Sequence, residues 1–74
     1  MSRLPSVTAR QLIRVLQKVG FEEHHQRGSH RHLYHTRLNK WVTVPVHRGD
    51  IKRPLVVAIL KQAGISEDQF RALR

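Results

Sequence analysis

The order of the local patterns is the feature that most constrains the fold. One helical pattern comes first, three short strand patterns follow, and a second helical pattern comes after them. The first helical pattern has apolar residues at a spacing of three and four, which places them on one helix face: Ala9, Leu12, Ile13, Leu16 and Val19. Thr8, with Gln11 three residues later, is typical of a capping box. Gly20 can end the helix in a left-handed conformation.

The second helix is predicted over about residues 54–63. Proline is favoured at the first helical position, as at Pro54, and Gly64 follows the last turn. The apolar stripe of this helix comprises Leu55, Val56, Ile59 and Leu60. Ser66 and Gln69 repeat the capping pattern. A short last helix that carries Phe70 and Leu73 is therefore predicted.

Three strands are predicted between the helices, over residues 21–26, 30–36 and 41–47. Arg27, Gly28 and Ser29 form a turn, because glycine readily adopts a positive φ. Residues 38–40 form the next turn, and residues 48–50 turn the chain again. Pro45 cannot donate a ladder hydrogen bond, so the third strand should lie at a sheet edge.

These elements predict an α+β fold with the order α-β-β-β-α. Strands at hairpin spacing make a three-stranded antiparallel sheet, and the two amphipathic helices bury their apolar stripes on one face of it. Leu33 and the alternating Val42, Val44 and Val46 then face the helices. The same alternation predicts which side chains lie on the open face: His30, His32, Tyr34, Trp41, Thr43 and His47. We expect residues 1–74 to form a single domain, with residues 1–7 as a loose lead-in.

The charge points to a polyanionic partner. Lys and Arg number 14 against 5 Asp and Glu, so the formal net charge is +9. A basic domain of this kind is suited to nucleic-acid phosphates or to an acidic protein, although a solvated basic surface has the same composition. The chain has no cysteine, which excludes disulfides and a thiolate nucleophile. Without a signal-peptide pattern or an apolar run long enough to span a membrane, a cytoplasmic protein is expected.

Three blocks of sequence resemble the HicA family of bacterial toxins. They are Gly28-Ser29-His30, then residues 44–47 (Val-Pro-Val-His), then residues 59–66 (Ile-Leu-Lys-Gln-Ala-Gly-Ile-Ser). The resemblance extends over about residues 12–73. It implies a fold like that of double-stranded-RNA-binding domains, cleavage of messenger RNA without a metal cofactor, and neutralisation by a HicB-type antitoxin. The active histidine of the family corresponds to His30. Arg53-Pro54 departs from the small residues expected before the second long helix.

His30 has the chemistry that such a ribonuclease requires. RNA supplies its own nucleophile, the 2′-hydroxyl, and an imidazole can accept its proton because histidine titrates near neutral pH. Gly28 lets the backbone approach a phosphate, and Ser29 could bind the phosphoryl oxygens. Arg27 and Arg31 flank His30 in sequence and could stabilise the developing negative charge.

The open face offers auxiliary candidates. His47 is a possible second acid–base group, and His32 a possible substrate contact. Tyr34 and Trp41 could stack RNA bases or pack against the antitoxin, which we expect to cover this face and block His30. Each of these residues also has an ordinary interpretation as a strand-end, exposed or core-rim side chain.

Three alternatives remain open from the sequence. Five histidines fall within residues 24–35, so zinc could bind between His30 and His32 or between His24 and His35. A catalytic zinc site usually needs three protein ligands, and only two carboxylates, Glu22 and Glu23, lie near these histidines. The second alternative is a non-catalytic RNA-binding module. The third is a chain that acts only through a protein partner.

Overall fold

A computed structural model describes Leu4 and residues 6–74 of the chain. The elements, in chain order, are β1 (Val7–Thr8), α1 (Ala9–Lys18), β2 (Glu22–Arg27), β3 (His30–His35), β4 (Lys40–Pro45), β5 (Asp50–Ile51), α2 (Arg53–Ala63) and α3 (Glu67–Leu73). The predicted α+β fold and the order of the main helices and strands are confirmed. The third main strand, β4, ends at Pro45, two residues earlier than predicted.

The main sheet is antiparallel in the order β2-β3-β4, so Pro45 does lie on an edge strand. Leu33 pairs with Val42, and Tyr34 pairs with Trp41. A second sheet, which the sequence patterns do not predict, joins the two short strands β1 and β5.

The helix ends match the predicted capping patterns. The Gln11 backbone N–H donates to Thr8 Oγ1 at 3.2 Å, and the Thr8 N–H donates to Gln11 Oε1 at 3.0 Å. Ser66 and Gln69 make the same reciprocal pair at the start of α3. These bonds satisfy N–H groups that the first turn of a helix leaves without partners. α2 begins without a side-chain cap.

The core lies between the helices and one face of the main sheet. β2 contributes no buried side chain. The largest fully buried side chains come from the three helices, from β1, β3 and β4, and from the residue before β2: Phe21, Phe70, Leu12, Leu16, Leu33, Leu60, Val7, Val15, Val42, Val44 and Val56. α1 and α2 both contact β4, which confirms the helices on one face. The opposite face therefore remains open to solvent. The prediction that Leu55 belongs to the buried stripe of α2 is wrong, because Leu55 is 42% exposed.

The N-terminal segment differs from the expected loose lead-in where the structure describes it. Leu4 and Val7 are almost completely buried. Val7 pairs with Ile51, and the Arg53 guanidinium donates to the Leu4 carbonyl oxygen at 3.1 Å. Residues 1–3 and 5 lie outside the described residues. Tertiary contacts explain the burial of Leu4 and Val7, since the pairing partner of β1 lies far away in sequence.

His35 has a structural role at the junction between α1 and β2. Its Nε2 lies 3.0 Å from the Val19 carbonyl oxygen, and its Nδ1 accepts from the Leu38 N–H at 3.2 Å. Gly20 ends α1 with φ +110, and a Cβ there would lie 2.6 Å from His35 Nε2. His35 therefore joins two turns on the helix side of the sheet.

Replacing Gly20 by alanine should lower the free energy of unfolding by about 3 kcal/mol, because the new Cβ meets the His35 ring and the backbone is strained. Gly28→Ala is the matched control. Its φ is +59, and no atom lies within 4 Å of the added Cβ, so we expect a loss of only about 1 kcal/mol. Urea denaturation measures both values. Equal losses of unfolding free energy in the two variants would show that contact between the new Cβ and the His35 ring adds nothing to the effect at Gly20.

Candidate active site

The turn between β2 and β3 is held on both sides by hydrogen bonds. Gly28 has φ +59, as its position in the turn requires. The Gln26 Nε2 donates to the Gly28 carbonyl oxygen at 3.1 Å, and the Val46 N–H donates to the Ser29 carbonyl oxygen at 2.5 Å. The segment that presents His30 is therefore fixed at its base.

His30 is exposed at the start of β3. Within Leu4 and residues 6–74, its ring has no hydrogen bond, ion pair or ring contact. Both ring nitrogens are therefore open to a substrate.

Strand register determines which arginine shares the face of His30. Arg27 lies directly opposite His30 across the β2–β3 pair, and Pro45 lies opposite it on β4. Directly paired residues project to the same face of a sheet. Arg31 pairs with the buried Val44 instead and projects to the helix side. Its guanidinium lies 3.1 Å from Glu23 Oε1 and donates to Gln26 Oε1 at 2.6 Å. Of the two arginines that flank His30 in sequence, only Arg27 shares its face.

A continuous surface of rings, here called the ring cluster, covers the other end of the open face. Its members are His24, His25, His32, Tyr34 and Trp41. The Tyr34 and Trp41 ring centroids are 4.7 Å apart, His24 lies 5.2 Å from Trp41, and His25 lies 4.9 Å from His32. Trp41 nevertheless remains 48% exposed. The cluster thus presents a broad aromatic surface to solvent.

A β-bulge brings two of these rings into the cluster. The register between β2 and β3 shifts between Glu23 and His25. As a result His24 and His25, although adjacent in sequence, both contact rings of the open face. A bulge is the usual way for a strand to interrupt its alternation. Simple alternation would place His24 and His25 on opposite faces, so it does not identify both as members of this surface. In the sequence, only the presence of two adjacent histidines points to them.

Polar contacts hold three of the predicted site residues. His32 Nδ1 lies 3.0 Å from Thr43 Oγ1, and the Tyr34 hydroxyl donates to Asn39 Oδ1 at 2.5 Å. His47 lies beyond the end of β4, and its Nδ1 is 3.1 Å from the Arg48 carbonyl oxygen. His47 makes no ring contact with the ring cluster.

His30 and three members of the ring cluster lie on or beside the same strand, β3: His32, Tyr34 and His25. From His30 to Tyr34 the chain advances four residues along β3, which is about 13 Å at the usual rise of a strand. His32, with His25 beside it, lies between them. The open face therefore has one exposed imidazole, that of His30, at one end, and the rings of the ring cluster follow it along β3.

The two pairs of histidines considered for zinc are placed differently. His30 and His32 share the open face, whereas His24 contacts open-face rings and His35 lies on the helix side. Over the residues that the structure describes, no group of three or more potential metal-ligating side chains comes together. Over the same residues, no helix has the length and apolar character needed to cross a membrane.

Residues 9–65 match a protein-family model, described as the HicA toxin of bacterial toxin-antitoxin systems. The matched region begins with α1 and ends just after α2, so it includes every strand of the main sheet. No curated protein matches the sequence. The family match, over residues 9–65, covers the turn that carries His30 and the whole ring cluster.

Proposed function

The chain belongs to the HicA family of bacterial toxin–antitoxin toxins, and on that premise we propose that it is an endoribonuclease that cleaves messenger RNA without a metal. In this proposal His30 is the general acid–base residue. The observation that carries the proposal is the position of His30, exposed on the open face, beside a fixed Gly28-Ser29 turn and opposite Arg27.

The reaction that suits this geometry is intramolecular transesterification of RNA, in which the phosphoryl group moves from the 5′-oxygen to the 2′-oxygen. His30 accepts the proton of the 2′-hydroxyl, the 2′-oxygen bonds to phosphorus, and the bond from phosphorus to the 5′-oxygen breaks. The 5′-oxygen leaves with a proton, from solvent or from a second acid. His47 is our candidate for that acid, because it follows Pro45, the cross-strand neighbour of His30, by two residues.

Arg27 and the turn would stabilise the negative charge that the phosphoryl oxygens carry in the transition state. Arg27 lies opposite His30, so its guanidinium is available to the phosphoryl oxygens. The hydroxyl and backbone N–H of Ser29 are one residue away from the imidazole. Gly28 leaves space for the phosphate, since a Cβ added there would have no atom within 4 Å. Arg31 lies on the other face and its charge is offset by Glu23, so it has no direct part in this step.

The ring cluster would hold bases of the RNA. Aromatic side chains stack on bases without regard to sequence, and each stacked base contributes about 1–3 kcal/mol. Tyr34 and Trp41, with His32 nearer the site, would bind unpaired nucleotides on one side of the scissile phosphate. The same surface favours the alternative of a non-catalytic RNA-binding module. Multiple turnover of RNA by the purified protein distinguishes the two, because a binding module releases no product.

A HicB-type antitoxin would cover this face. Antitoxin partnership follows from the family, and exposed aromatic and arginine side chains are typical anchors of tight interfaces. A cover over the ring cluster and His30 would exclude RNA from both the stacking surface and the reactive imidazole.

Cleavage should continue undiminished in EDTA and should leave 2′,3′-cyclic phosphate or 3′-phosphate ends, because the RNA 2′-hydroxyl is the nucleophile. End-group analysis of a 5′-labelled RNA after incubation with the protein measures this. A substrate with a single 2′-O-methyl group at the cut site is the control and should resist cleavage there. Products with 3′-hydroxyl ends, or activity that is lost in EDTA and restored by zinc, would contradict the proposed chemistry.

A further inference from the structure

A basic groove lies on the other side of the sheet from the ring cluster. It runs between α1 and the helix-facing side of β2 and β3, and its volume is about 550 Å³. Arg10 and Arg14 line it from α1, Arg31 and Glu23 line it from the main sheet, and Val46, which follows β4, also lines it. None of the proposed catalytic or stacking residues other than Arg31 belongs to it.

The groove has two uncompensated positive charges. The guanidinium of Arg31 lies 3.1 Å from Glu23, so these two charges offset one another. Arg10 and Arg14 are exposed and one helical turn apart. Within Leu4 and residues 6–74, neither has a hydrogen bond or an ion pair. Because residues four apart lie on one helix face, both guanidinium groups can reach the same ligand.

We propose that this groove, named here the α1 groove, binds the sugar–phosphate backbone of RNA. The inference rests on the proposed ribonuclease function and adds a second substrate contact to it. Guanidinium groups bind phosphate through paired hydrogen bonds, and each neutralised phosphate releases counterions. Arg10 and Arg14 would each contact a phosphate, while Arg31 keeps the Glu23 carboxylate from repelling the chain.

One lining residue of the groove, Val46, lies beside the candidate active site. Val46 lines the groove, and its N–H donates to the carbonyl oxygen of Ser29, the residue before His30. Pro45, which precedes Val46, pairs with His30 itself. An RNA strand that leaves the groove at Val46 therefore passes the β2–β3 turn and comes to His30 around the end of the sheet.

The lack of a large exposed apolar side chain in the groove favours RNA over an acidic protein segment. The apolar lining residues are the buried Ala9 and Ile13 and the half-buried Val46. The exposed large hydrophobic residues in the described part of the chain are Leu38, Trp41 and Leu55, and none of them lines the groove. Protein interfaces normally depend on a central apolar or aromatic contact. A phosphate backbone needs only well-placed cations, which the α1 groove supplies.

The test compares two double variants of the whole chain that each lose two positive charges. Arg10→Gln/Arg14→Gln removes the groove cations. Arg37→Gln/Lys61→Gln removes exposed cations from the β3–β4 turn and from α2, outside the groove. Binding of a fluorescent, fully 2′-O-methylated RNA oligonucleotide is measured across a salt series. This probe keeps the phosphates but has no nucleophile, so its binding is independent of any cleavage by His30.

The groove variant should reduce the slope of log K against log salt by about 1.4, since each contact to single-stranded nucleic acid contributes about 0.7. The control should change the slope much less, and thermal melting should show both variants folded. With cleavable RNA, the groove variant should raise KM and leave kcat unchanged.

Equal changes in the two variants would overturn the proposal, because general charge would then explain the binding. An oligoglutamate peptide of the same formal charge provides a further test. If it binds more tightly than the oligonucleotide and loses that affinity in Arg10→Gln/Arg14→Gln, the groove is a docking site for acidic protein. Absence of cleavage by the unaltered protein would instead refute the proposed ribonuclease function, whereas the slopes would still test the groove.

Discussion

Replacing His30 by alanine should reduce RNA cleavage by about 10²- to 10⁴-fold, which is the usual contribution of a general acid–base group. The imidazole is exposed and has no hydrogen bond, ion pair or ring contact within the described part of the chain, so its removal should leave the fold intact. Single-turnover cleavage of a labelled RNA measures the effect, and thermal melting tests the fold. Expression of the variant in bacteria should also no longer inhibit growth.

His47→Ala is the comparison variant for this experiment, because His47 is the candidate second acid. His47 is another exposed histidine, and within the described residues its ring has one hydrogen-bonding partner, the Arg48 carbonyl oxygen. If His47 supplies the second proton, its removal should slow cleavage less than the loss of His30, because solvent can protonate the leaving oxygen at this open surface. A folded His30→Ala protein with full activity would show that another group carries the chemistry.

Under the proposal that the antitoxin covers the open face, its binding should abolish cleavage and raise the melting temperature of the protein. Trp41 is the expected anchor, since it is 48% exposed and contacts Tyr34, His24 and His25. Trp41→Ala should weaken binding by about 2 kcal/mol or more, which corresponds to about 30-fold in Kd. Titration calorimetry with the cognate antitoxin measures this.

Leu55→Ala is the matched control for the antitoxin experiment. Leu55 is 42% exposed on α2, which packs on the other face of the sheet, so its truncation should leave Kd unchanged. Hydrogen exchange should show protection around His30 and Trp41 in the complex. Protection confined to the outer faces of the helices, with cleavage still blocked, would mean that inhibition is indirect.

Local chemistry in the sequence determined most of the fold. The capping pairs at Thr8 and Ser66 start their helices where predicted, because a cap and its partner lie three residues apart. Pro45 identified an edge strand because it has no N–H to donate. Period-two alternation placed Leu33 inward and Trp41 outward. The exposure of His30 follows from the same alternation and from the glycine in its turn.

Tertiary structure decided the features that depend on pairing between distant segments. The bulge in β2, which brings His24 and His25 into the ring cluster, is a property of its register against β3. The position of Arg27 opposite His30 depends on the same register, whereas alternation along β3 alone places Arg31 on the other face. β1 forms only because residues 50–51 lie beside it. The α1 groove unites side chains of α1, β2 and β3, so no local pattern contains it. Local patterns specify helices, turns and strand faces, because their interactions join residues near in sequence. Register and grooves arise from contacts that only the folded chain can make.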